Sequence, residues 1–128
     1  MIYTVSTAVS AETIKEQMSE HAKAVGFGVL NVYDFKTLLE SKGFPISREI
    51  TVFELCNPKA AQHALDAFAE ISVYLPCRLS VYERSGLSYL STIGIDEMVH
   101  AVEVSDEFRV QMQGIFDNLK ALMHSWEE

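Results

Sequence analysis

The chain has 128 residues, 48% of them hydrophobic and 22% charged, which is the make-up of an ordinary globular domain with a core of its own rather than of a disordered segment. Eighteen acidic side chains against ten basic ones give a formal charge of -8, which repels phosphate backbones and anionic lipid and so argues against nucleic acid and membrane as partners. Two cysteines, Cys56 and Cys77, argue against a secreted disulfide scaffold and exclude a four-cysteine zinc site within one chain, and with no basic leader and no run near the about 18 apolar residues of a membrane span the expected location is the cytoplasm.

No Pro-, Gly- or Ser-rich linker and no internal repeat divides the sequence, so residues 1–128 read as a single domain. The segment from Ile2 to Ser6 alternates strand-favouring residues. Ser10 then caps a helix with the apolar stripe Ile14, Met18, Ala22 and Val25, which Gly26 ends. From Phe27 to Tyr33 apolar residues occupy both parities, which predicts a strand covered on both faces or lying at an interface. Asp34 caps a short helix that stops at Gly43.

A strand from about Ile50 to Cys56 leads into Asn57-Pro58, a strong helix start because the Asn side chain accepts from free amides and Pro at the first turn sacrifices no hydrogen bond. That helix carries Ala61, Ala64, Leu65 and Phe68. Alternation resumes from Cys77 to Glu83, Ser85 and Gly86 turn the chain, and Leu87 to Ile93 returns as the second strand of a hairpin. Ser105, followed by Asp106 and Glu107, opens a terminal helix whose stripe is Phe108, Met112, Ile115, Leu119, Leu122 and Trp126, widened by Phe116 and Met123. This stripe suits packing on the chain's own sheet, on a partner helix, or on both. Gly114 weakens the helix unless something packs close against it. Strands and helices in this order make an α+β domain.

Three segments carry a family resemblance: Gly26-Phe27-Gly28-Val29-Leu30 with Asp34 behind it, Glu54 to Ala61, and Leu75-Pro76-Cys77-Arg78-Leu79-Ser80-Val81-Tyr82-Glu83. In order and spacing they resemble the signature blocks of the domain of unknown function 302 family over essentially the whole chain. The resemblance implies a two-layer α+β fold, helices packed on a mixed or mainly antiparallel sheet, similar to the TATA-binding-protein class and often paired as a homodimer. It implies no activity. One departure is Glu97, where the family pattern leads one to expect Pro after Ile95-Asp96.

Cys56 ends a strand just before a helix N-terminus, where the partial positive charge of free amides favours a thiolate, and Cys77 begins the next strand. If the two strands are antiparallel neighbours, both thiols fall on one rim of the sheet. Small buried hydrophobes are the simpler alternative. Glu54 shares a parity with Val52 and Cys56 and needs a donor if its face is covered; Arg78 is the expected partner. The four histidines show no metal spacing, and even His63 with Cys56 and Cys77 would lack a fourth protein ligand, so no metal and no cofactor are expected. Gly26 and Gly28 form no dinucleotide fingerprint, and no GxSxG elbow is present.

The leading expectation is a homodimeric accessory or small-ligand-binding domain with Glu54, Cys56, Asn57, Cys77 and Arg78 around its site, the ligand being unspecified. Two other readings stand beside it. One is a thiol-dependent redox or sulfur-transfer protein in which Cys56 reacts and Cys77 resolves or positions it. The other is a purely structural interaction module acting through the terminal helix. Whether the chain is an enzyme is left open.

Overall fold

The computed structural model describes residues 2–94 and 105–127. Five strands form one sheet: β1 (Ile2–Thr7), β2 (Gly28–Asp34), β3 (Ile50–Cys56), β4 (Cys77–Arg84) and β5 (Leu87–Ile93). Their order is β1-β5-β4-β3-β2, and every neighbouring pair is antiparallel. The helices are α1 (Ala11–Ala24), α2 (Phe35–Ser41), α3 (Pro58–Ala67) and α4 (Asp106–Met123), with a 3-10 turn at Ala69–Val73 that the sequence did not announce.

The caps form as the sequence dictates. Ser10 accepts from the Thr13 amide, Asp34 from Thr37, Asn57 from Ala60 and Ser105 from Phe108, at 3.1 to 3.3 Å. Gly26 leaves α1 at a φ of 87°, a conformation that a side chain would strain. Ser85 and Gly86, at φ 54° and 82°, make the two-residue turn whose positive dihedrals match the twist of β4 and β5. At Gly28 a Cβ would meet, among the described residues, only the Cys56 carbonyl, at 4.0 Å, which is ordinary contact.

One face of the sheet is covered. Leu55, Leu79, Val81 and Leu90 point from the central strands into a core closed by Ile14, Met18 and Ala22 of α1, Ala64 of α3, and Met112, Phe116, Leu119 and Leu122 of α4. The stripe of α4 therefore roofs its own sheet. Trp126 clamps α1 to the end of α4, stacking on His21 at 4.2 Å and donating from Nε1 to Gln17 at 2.9 Å. Among the described residues no core helix covers the opposite face, which carries the half-buried Ser80, Tyr82 and Tyr89 and the buried Ser91. Two layers with one open face are compatible with the TATA-binding-protein class.

The expectation that Phe27 to Tyr33 is covered on both faces is corrected. Phe27 is buried, but β2 is an edge strand whose side chains beyond Val29 are exposed. The apolar run at both parities therefore does not mark a central strand. The position of Glu97 lies outside the described residues.

Candidate functional site

The five residues singled out from the sequence divide between the two sides of the sheet. β3 and β4 are antiparallel neighbours, with Glu54 opposite Arg78 and Leu55 opposite Cys77. Because successive side chains alternate, Glu54 and Arg78 share the open face, while Leu55 and Cys77 share the helix-covered one.

On the open face Glu54 is the centre of a polar knot. Its Oε1 accepts from the Tyr33 hydroxyl at 2.8 Å and from the Asn31 amide at 3.2 Å, and its Oε2 lies 3.3 Å from a guanidinium nitrogen of Arg78. The Glu54 side chain is 8% exposed and that of Arg78 59%. A buried carboxylate is thus satisfied by three donors drawn from β2 and β4, one of them charged. The hydrogen bond to Glu54 also raises the Tyr33 hydroxyl above its ordinary range, since ionising it would put a phenolate against the carboxylate. Asn31 and Tyr33 were not foreseen. They become Glu54 partners only through the β2–β3 register, which skips Leu30 at a bulge between Val29 and Asn31.

Cys77 and Asn57 lie elsewhere, and Cys56, the last residue of β3, borders both sides: it shares the parity of Glu54 and also lines the crevice that Asn57 and Cys77 line. This crevice lies beneath α3 and α4, and Ala60, Ala64 and Met112 complete its walls. The thiols are unpaired, each half-buried. Asn57 is committed through its Oδ1 to capping α3. Burial, with a smaller contribution from the neighbouring Cys56, pushes the Cys77 thiol from its ordinary 9.0 up to about 11. Cys77 is therefore a protonated thiol at neutral pH, the opposite of an activated one.

Two consequences can be measured. Cys77 should resist alkylation at pH 7.5 in the native protein and react promptly in denaturant. The unfolded thiol loses its proton near 9 and the folded one near 11, so this group's contribution to stability is complete below pH 9 and is lost as the pH climbs towards 11. Cys77→Ala should flatten that alkaline slope in thermal melts; an unchanged slope would show that Cys77 does not cause it.

Asn57, Ala60, Ala64, Met112 and Ile115 are shared by the crevice and a wider groove between α3 and α4, of about 1090 Å³. Small and apolar side chains form the groove's floor, while Lys59, His63, Asp66, Gln111 and Asn118 supply its polar lining. Gly114 also lines it, and a Cβ built there would meet nothing within 4 Å among the described residues. Among the described residues, no close contact compensates for a glycine in this helix. His63 belongs to this groove, and among the described residues no group of three His, Cys, Asp or Glu side chains is placed to share a metal ion.

The family model described as Domain of unknown function DUF302 matches residues 3–125. The chain belongs to this family. A crystal structure of an uncharacterized conserved DUF302 protein from Bacillus stearothermophilus is similar to this DUF302 chain at 26% identity and a TM-score of 0.86, over 95% of this chain and 94% of that one. No curated protein matches the sequence. Membership accounts for the architecture, and it assigns no chemistry to the groove or to the Glu54 knot. Among the described residues of this DUF302 chain, no helix is long and apolar enough to cross a membrane.

Proposed function

We propose that this domain is a cytoplasmic binding module that takes a small amphipathic molecule in the groove between α3 and α4. The observation that carries the reading is the continuity of that groove with the crevice of Cys56, Asn57 and Cys77, which joins an apolar floor to a polar rim. Its volume is close to that of small-molecule sites, roughly 300–1,000 Å³. Ala60, Ala64, Met112 and Ile115 would hold the apolar body of the ligand, and Lys59, His63, Gln111 and Asn118 its polar end. The Glu54–Arg78 pair, on the other face of the sheet, is then structural and drops out of the site.

Gly114→Leu tests the groove directly. Leucine is favoured over glycine in a helix by roughly 0.8 kcal/mol, and the space beside Gly114 is open, so the variant should melt no lower than the parent while its side chain occupies the groove. Anilinonaphthalene sulfonate, an amphipathic anion, should bind the parent and lose at least about tenfold in affinity to the variant, or about 1.4 kcal/mol. Equal binding by the two proteins would remove the groove as the site.

A thiol-dependent activity is the second reading, supported by both cysteines lining one crevice. In it Cys56 is the attacking sulfur, because Cys77 holds its proton at neutral pH.

A further inference from the structure

A separate cavity, of about 360 Å³, lies where the first turns of α1 meet the start of β3 and the end of β4, and it shares no lining residue with the groove between α3 and α4. Thr51 and Val81, opposite one another in the β3–β4 ladder and both buried, belong to its lining. Continued by two residues, the same register sets Glu49 opposite Glu83, and both line the cavity. Helix α1 contributes Ala11 and Lys15, four residues apart and so on one helix face, and the segment before β3 contributes Arg48.

The charges here are not matched to one another. Lys15 and Arg48 oppose Glu49 and Glu83, so the cavity is formally neutral in a chain of -8. The ion pairs among the described residues join Glu54 to Arg78, Asp117 to Lys120 and His124 to Glu127, and none of these four takes part. Two carboxylates facing each other across a ladder repel. Glu83 is nonetheless held in place, because its Oε1 accepts from the Ala11 amide at 3.1 Å.

Thr51 supplies an independent observation. It is 4% exposed, and among the described residues no hydrogen bond engages its hydroxyl. Every side-chain nitrogen or oxygen sealed from solvent has a partner among the described residues, so this hydroxyl opens on the cavity that Thr51 lines. A polar group so deeply placed and without a protein partner is one that a ligand can satisfy.

We propose that the cavity binds a free α-amino acid, with its ammonium between the carboxylates of Glu49 and Glu83, its carboxylate on Lys15 and Arg48, and the Thr51 hydroxyl donating to that carboxylate. A simple anion would meet two carboxylates and a simple cation two basic groups; a molecule carrying both charges complements all four. The volume is near the lower limit of small-molecule sites, roughly 300–1,000 Å³, which suits a short zwitterion rather than a peptide.

Calorimetric titration of the full chain with the twenty common L-amino acids, one at a time near neutral pH and at low salt, is expected to show saturable one-to-one binding by at least one of them, at about millimolar or tighter. The matching amino alcohol, which lacks the carboxylate, and the matching hydroxy acid, which lacks the ammonium, should bind about tenfold more weakly. Lys15→Met and Glu49→Gln should each lose affinity by a similar factor. Thr51→Val removes a hydroxyl that has no protein partner, so it should melt no lower than the parent and still bind the amino acid about fivefold more weakly. Emission of the buried Trp126 reports that each variant is folded. Anilinonaphthalene sulfonate should not compete with the amino acid. The proposal is overturned if none of the twenty binds saturably, if either single-charge analogue binds as tightly as the amino acid, if any of the three variants binds like the parent, or if the sulfonate displaces the amino acid.

Discussion

Leu55→Ala is expected to lower the unfolding free energy by about 3 to 4 kcal/mol, read as a shift of the urea midpoint with Trp126 emission as the probe. Leu55 is fully buried, sits opposite Cys77 in the β3–β4 ladder, and forms part of the crevice wall with Ala64 and Met112. Truncation removes its transfer free energy and leaves a void between a sheet and two helices, none of which can move inward without breaking its own packing. The same void admits water beside Cys77. Burial is the first cause of that thiol's raised pKa, so the variant's Cys77 should titrate closer to 9.0 and alkylate faster in the native state. A loss below about 1 kcal/mol, with Cys77 still protected, would mean that the crevice collapses freely and that Leu55 is not a wall.

Glu54→Ala should cost about 2 kcal/mol, the range for hydrogen bonds that involve a charged group. The figure is held down because the stranded partners can reach water: Asn31, Tyr33 and Arg78 are all exposed. Arg78→Ala removes one partner and leaves the buried carboxylate with two neutral donors, but the exposed guanidinium works through solvent, so about 1 kcal/mol is expected. If the knot is one unit, the double variant is less damaging than the sum of the singles. Additive losses would show that Glu54 and Arg78 act separately. Spectroscopic titration supplies an independent readout, since without Glu54 the Tyr33 hydroxyl should ionise at lower pH.

Much of the architecture follows from local rules that the residues state openly. Ser10, Asp34, Asn57 and Ser105 are caps because a short oxygen-bearing side chain ahead of an amphipathic stretch can satisfy free amides and little else competes. Ser85-Gly86 is legible as a hairpin turn for the same reason. The neighbourhood of β3 and β4, and with it the Glu54–Arg78 pair, was inferred from strand order and appears in the register. The proposed site was legible only by halves. Parity already separates Arg78 from Cys77 on β4, yet the sequence does not say which face the helices cover. Asn31 and Tyr33 were hidden because a bulge sets their register, and bulges leave no reliable mark in one sequence. The groove was invisible too, since its lining comes from α3 and α4, helices separated by two strands in the chain.

The pairing of Ile2 with Ile93 and of Thr7 with Ser88 has a consequence for how the molecule comes into being. Of the elements it pairs with, the strand made first waits for the hairpin partner made much later, and Val5 has no ladder to join until Leu90 has left the ribosome. Until then β2, β3 and β4 can only assemble as a three-stranded fragment with one bare side, where β5 will later dock. Sequence-distant closure of this kind slows the search for the native state. Synthesis in the cell should therefore expose a nascent chain that holdase chaperones can recognise for most of its translation.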